Sequence, residues 1–229
     1  MEKLLKGYSD LEKGAYIGAI SSIATADHSA SDEEMEYIMA LADSADLSDE
    51  QKKAVSRAAT ELTGQELKKC LDILKNSDLK YSLVTDVISF AETDKKYTDE
   101  EKANIEKISE YLGINQQQFS LLDQFVKKTA EVKPEPEEVA KPSFLSKLGL
   151  DEKLKKSGIN INSLTKGLLG IAGPLILANL LRGRRRFSGG GGAMSMPYQG
   201  GGLNSIISML SGGRGFSRTG NMFNRVFGL

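Results

Sequence analysis

One cysteine, one histidine and no tryptophan occur in 229 residues. A single thiol excludes an internal disulfide framework and a cysteine-built zinc cluster. Cys70 falls within a helical pattern, where a small core residue is the ordinary reading. The lone His28 leaves no multi-histidine metal site and no second imidazole for a proton relay. Proline is absent before Pro134, and between Leu47 and Gln118 glycine occurs only at Gly64 and Gly113, so this stretch has few breakers. Side-chain carboxylates are missing altogether after Glu152. The N-terminus, MEKLLKGYSDLEKG, is charged and lacks the apolar core of a signal peptide, so a cytoplasmic location is expected.

The formal charge of −1 conceals three unlike pieces. Residues 1–130 carry 16 basic and 25 acidic side chains, a net of −9. Residues 131–152 carry 3 and 6, a net of −3, and residues 153–229 carry 11 and none, a net of +11. Glycine divides the same way, with 17 of 23 after residue 152. An acidic body joined to a basic, glycine-rich tail argues against one uniform globule.

Residues 8–130 read as helix throughout. Tyr16, Ala19, Ile20, Ile23 and Ala24 recur at the spacing of one helical stripe. Further stripes are Met35, Ile38, Met39 and Ala42; Val55, Ala58 and Leu62; Leu67, Leu71 and Leu74; Val84, Val87, Ile88 and Ala91; Ile105, Ile108 and Leu112; and Phe119, Leu122, Phe125 and Val126. Start signals precede them: Ser31-x-x-Glu34, Ser48-x-x-Gln51, Thr63-x-x-Glu66, Thr98-x-x-Glu101 and Asn115-x-x-Gln118. In each, the first side chain can accept a first-turn amide while the second reaches back. With further starts near Tyr8 and residues 76–78, the pattern predicts an all-α bundle of about seven helices.

The pattern repeats at an offset of 67. Ala24-x-x-Asp27 followed by Ser31-Asp32-Glu33-Glu34 and Ile38 matches Ala91-x-x-Asp94 followed by Thr98-Asp99-Glu100-Glu101 and Ile105. The match continues in kind through Leu41/Ile108, Leu47/Ile114 and the caps Ser48/Asn115. Two helical hairpins related by duplication within one domain account for it. Acids in a first helical turn suit the positive end of the helix dipole, and the bland reading of both turns is capping. The sharper reading is a hard cation, a divalent metal, held by Asp27, Glu34, Asp94 and Glu101, since carboxylates are its preferred ligands. The spacing is not that of an EF-hand, because positions 6 and 12 from Asp27 hold Asp32 and Ile38. His28 reads as a solvated turn residue rather than a ligand. No catalytic constellation is legible, and a non-enzyme is expected.

The pattern Ala-x-Ala-Asp-x-x-x-Ser-Asp-Glu-Glu-x-x-x-Ile, its second copy AETDKKYTDEEKANI and the ending YLGI resemble the TerB-like domain. That family comprises tellurite-resistance TerB proteins and the related N-terminal domain of the DjlA co-chaperones. The resemblance covers residues 8–130. It implies a seven-helix domain with pseudo-symmetric halves, and a role in response to tellurite and other stresses through metal-linked complexes at the inner membrane face. Family members usually show Ala-Asp-Gly at the turn, where His28 and Lys95 stand here.

Beyond the domain, residues 131–142 read as a charged, proline-containing linker, residues 143–187 as an apolar and basic helical segment, and residues 188–229 as a glycine-rich disordered tail. Phe144, Leu145, Leu148 and Leu154 suggest a short helix over residues 144–156. Residues 167–181, GLLGIAGPLILANLL, are uncharged, and RGRRRF follows. Fifteen residues fall short of the ~20 of a spanning helix, and Gly170, Gly173 and Pro174 weaken a helix. Two partners fit: an anionic membrane surface, with Leu168, Leu169, Ile171, Leu175, Ile176, Leu177, Leu180 and Leu181 in the interface and Arg182, Arg184, Arg185 and Arg186 on lipid phosphates; or protein docking and self-association through the same residues. Isolated Arg-Gly units, as in Gly213-Arg214-Gly215-Phe216, make nucleic acid the weaker partner class. The reading is a non-enzymatic interaction protein, cytoplasmic and peripheral at the inner membrane, with cation binding and nucleic-acid binding as alternatives.

Overall fold

Serine and asparagine side chains start five of the described helices. The computed structural model describes residues 4–25, 29–61, 64–93, 99–132 and 142–168. α1 (Asp10–Ala24) and α2 (Asp32–Ser44) each begin with a full capping box, Ser9 with Glu12 and Ser31 with Glu34. Ser48 accepts from the Gln51 amide to open α3 (Asp49–Thr60). α4 (Gln65–Leu74) starts differently from the Thr63-x-x-Glu66 expectation. Its N-cap is Gly64, at φ +83°, and the Glu61 carboxylate accepts the amides of Gly64 and Glu66. α5 (Leu79–Thr93), α6 (Asp99–Tyr111) and α7 (Gln116–Val132) complete the seven helices expected before residue 133. Asn115 caps α7 by accepting the Gln118 amide at 2.9 Å.

α1 and α5 pack against each other as the central pair. α2, α3 and α4 lie against α1, and α6 and α7 against α5. The single apolar stripe expected of α1 understates its environment: every residue from Gly14 to Ile23 is buried. Two glycines one turn apart make that possible. A Cβ on Gly14 would lie 2.2 Å from Gln51 Oε1, and one on Gly18 would lie 3.0 Å from Cys70 Sγ. α3 and α4 therefore approach α1 more closely than side chains there would permit. Ile17, Ile20, Ile38, Leu71, Val84, Ile105, Leu122 and Phe125 share one core, each contributing about 1.5–3 kcal/mol by leaving water.

The duplication is visible in the helix bounds. α2 and α6 are both 13 residues long, and Asp32 and Asp99 are 67 apart, as are Ser44 and Tyr111. The starts of α3 and α7, Asp49 and Gln116, differ by 67 as well. Asp46 takes a left-handed φ of +58° after α2, and Gly113, 67 residues on, takes +73°. Aspartate tolerates that region better than most side chains, so one turn geometry survives a Gly-to-Asp difference.

The core does not stop at α7. α8 (Pro142–Lys147), α9 (Asp151–Lys156) and α10 (Ile161–Gly167) fold onto the second repeat. The short helix expected over residues 144–156 is split in two, because Gly149 at φ +66° turns the chain between α8 and α9. Phe144, Leu145, Leu150, Leu154, Ile159 and Leu164 are buried in the same cluster as α1 and α5. α10 packs on α5 as α4 packs on α1. Among the described residues no helix is long and apolar enough to cross a membrane.

Candidate functional site

The acidic helix starts were the sharpest sequence feature. The structure shows what Glu34 does: it is buried, and its Oε2 accepts the Ser31 amide at 2.7 Å and the Ser31 hydroxyl at 2.8 Å. That is the capping role. Asp27, His28 and Asp94 lie outside the described residues, as does the side chain of Glu101. Asp32 and Asp99, at the two helix starts, are exposed. Among the described residues no three His, Cys, Asp or Glu side chains are placed to hold a metal ion.

A second polar feature lies inside the bundle. Asp86, in the middle of α5, is 1% exposed and accepts a hydrogen bond from the Tyr16 hydroxyl of α1. This bond crosses the seam between the two repeats. A carboxylate at this depth requires such a donor, since burying it alone costs several kcal/mol. Tyr37 of α2 is also buried, and its hydroxyl has no hydrogen-bond partner among the described residues. Burial, with the Asp86 carboxylate second, pushes the Tyr37 phenol well above its ordinary value. The sequence signal for this cluster was a lone acid between Val84 and Val87.

Cys70 is the only thiol in the chain, and burial pushes it up to about 12. Its Sγ faces Gly18. A thiol so far from its thiolate is a packing residue rather than a nucleophile. At the surface, Lys68, Asp72 and Tyr111 tie α4 to α6. Lys68 Nζ lies 3.0 Å from both Asp72 Oδ2 and the Tyr111 hydroxyl, and Lys75 Nζ sits 3.7 Å from the Tyr111 ring centroid.

The third feature is the root of the tail. Gln118 Nε2 donates to the Ser157 carbonyl at 2.8 Å, and Lys128 Nζ to the Leu148 carbonyl at 2.7 Å. Ser82, in the first turn of α5, donates to the Leu164 carbonyl at 3.0 Å, and the Ser163 hydroxyl donates to Asp78 at 3.0 Å. Gly167 sits so close to α5 that a Cβ there would lie 2.2 Å from Ser82 Oγ and 3.0 Å from Leu79 Cδ2. Leu168, first of the apolar residues assigned to a membrane or partner, is 5% exposed and belongs to the core cluster. Leu169, Ile171, Leu175, Ile176, Leu177, Leu180, Leu181, Arg182, Arg184, Arg185 and Arg186 lie outside the described residues. Neither Ser82 nor Gly167 stood out in the sequence. A serine and a glycine at a close crossing carry no pattern until the partner helix is known.

These observations define an all-helical bundle of two duplicated halves around a central helix pair. Residues 13–124 match the model of the family described as tellurite resistance protein TerB, so the chain carries a TerB-like domain. No curated protein and no solved structure shows significant similarity to it.

Proposed function

We propose that this chain is a non-enzymatic scaffold of the tellurite-stress type, in which the TerB-like bundle is the partner-binding body and the C-terminal tail tethers it to an anionic membrane surface. The observation that carries this reading is the position of the root. The described core reaches Leu168, and an uncharged apolar run leads from there into Arg182, Arg184, Arg185 and Arg186. An apolar stretch too short to span, followed by a cationic cluster, is the composition of an interfacial anchor. Anionic lipid contributes about 1 kcal/mol for each nearby arginine.

Flotation on vesicles containing anionic lipid tests it, with the full chain compared with a chain ending at Leu168. Residue 168 is the right boundary, because a cut at residue 130 removes part of the core along with the tail. The full chain is expected to float and the shortened chain to remain at the bottom, with the difference shrinking as salt rises. Equal behaviour of the two chains overturns the tether. The place of action that follows is the cytoplasmic face of the inner membrane.

A further inference from the structure

The root of the tail lies at one end of the bundle. Ser82 and Leu79, which contact Gly167, occupy the first turn of α5. Asp78, which accepts from Ser163, immediately precedes that helix. The Tyr8 hydroxyl, hydrogen-bonded to Ser163, lies just before α1. The turn between α2 and α3 is at this end too, since Leu4 donates to the Ser44 carbonyl and Ser48 to Asp10. The opposite end holds the C-termini of α1 and α3, joined where Thr25 and Ala30 both donate to the Ala59 carbonyl.

We propose that the end of the bundle at which α1 and α5 begin is its membrane-facing end, and that the acidic starts of α2 and α6 point away from the lipid. The inference rests on the tether reading and adds an orientation to it. Its basis is the lack of a spacer. The uncharged run begins at Gly167, a residue already packed against α5. Ile171 follows Leu168 by three residues, a reach of about 10 Å at most. α5 has 15 residues and so is about 22 Å long. Carrying the run to the far end would use about six or seven extended residues, close to half of residues 167–181. Those residues would then be withdrawn from the anchor.

Electrostatics bears on both ends. Asp32 and Asp99 are exposed at the starts of α2 and α6, and this orientation separates them from anionic lipid by more than the ~8 Å over which salt screens charge. The near end carries acids as well: Asp10 and Asp78 beside the root, and Asp43, Asp46 and Asp49, which gather around Lys52. Their repulsion from anionic lipid is opposed by the arginines that follow the apolar run.

The test uses the full chain with a single added cysteine at an exposed position, Lys6→Cys at the near end or Thr60→Cys at the far end. Each is labelled with a fluorophore and bound to anionic vesicles containing a headgroup-nitroxide lipid. Cys70, half-buried against Gly18, is first removed by Cys70→Ala in both proteins, so that only the added thiol takes the label. The Lys6→Cys label is expected to lose most of its fluorescence on binding, and the Thr60→Cys label to stay near its unbound brightness. Equal loss at both positions, or greater loss at residue 60, overturns the orientation while leaving the tether standing. If neither protein binds the vesicles in flotation, the tether reading falls and the orientation falls with it; that is also the result expected of a tail that grips a protein assembly.

Discussion

The two repeats bury their central helices by different means. α1 is covered by α4, which enters the chain between the repeats, and glycines at 14 and 18 admit its neighbours. For α5 the equivalent stretch, residues 132–141, lies almost wholly outside the described residues. Among the described residues α5 is covered by α10, supplied by the segment after α7. The matched family region ends at residue 124, yet the core reaches Leu168. The described cover of the two central helices thus comes from different places in the chain, α4 for α1 and α10 for α5.

The strongest way to break this comparison is to remove the second cover. A chain ending at Val132 leaves the surface under Phe144, Leu145, Leu154 and Leu164 in water. Each large apolar side chain contributes about 1.5–3 kcal/mol, offset by the entropy of ordering the segment. The expected net loss is several kcal/mol, a large part of the ~5–15 kcal/mol that holds a domain together. Thermal unfolding should show a midpoint lowered by roughly 10 °C or more relative to a chain ending at Leu168, or aggregation instead of a transition. Midpoints within a few degrees of each other would mean that α8 to α10 are appended to a core that is complete without them.

A smaller effect tests the seam between the halves. Tyr16→Phe takes the donated hydrogen bond from a buried carboxylate, Asp86. The expected loss is about 1–3 kcal/mol. Tyr37→Phe removes a buried hydroxyl with no partner among the described residues, so chemical denaturation should find it neutral or slightly stabilising. Equal losses for the two substitutions would show that Asp86 is held by something other than Tyr16.

Much of this fold was legible in the sequence, and the reason is local. The Ser31, Ser48 and Asn115 caps announce their helices because the capping side chain and the amide it accepts are three residues apart. The 67-residue repeat was legible because duplicated turns keep their chemistry. The environment of Asp86 was not, since its donor Tyr16 is 70 positions away. The burial of Leu168 was hidden for a related reason. Its apolar run reads the same whether its first residue faces lipid or α5, and only the crossing at Ser82 and Gly167 separates the two. Of the acidic starts, Glu34 was placed correctly at a cap by the same local logic that suggested it as a ligand.

Gln51 and Gln118 occupy equivalent positions, 67 apart, and their roles diverge with the covers. Gln51 lies against Gly14 of α1. Gln118 accepts the Asn115 amide through Oε1 and donates through Nε2 to Tyr81 and to the Ser157 carbonyl. Gln118→Ala therefore removes a cap and a pin to the C-terminal segment together, at about 1–2 kcal/mol. Hydrogen exchange should report faster opening of α9 and α10 in that variant, and no such change in Gln51→Ala. Uniform acceleration across both repeats would count against a pin.

The smallest expected effect is a difference in acid sensitivity. Hydrogen bonds from Ser77 and then Ser9 hold the Glu12 carboxyl below its ordinary value of 4.5. The second repeat has Leu79 at the equivalent position and no carboxylate to lose. A carboxyl depressed in the folded state contributes stability that is present above its unfolded value and is lost as pH falls through its folded value. The start of α1 should therefore loosen below about pH 4.5 more than the start of α5, which feels Glu12 only through Ser77. Because Glu12 is largely solvated, the change in global stability is small, and the readout is local: exchange of the first-turn amides of α1 followed between pH 5 and pH 3. Glu12→Gln should flatten that dependence, since an amide keeps part of the capping geometry and does not titrate. A dependence that persists in Glu12→Gln would place the acid sensitivity of this end elsewhere, with Asp10, which holds Ser48 at the start of α3, as the next carboxylate to substitute.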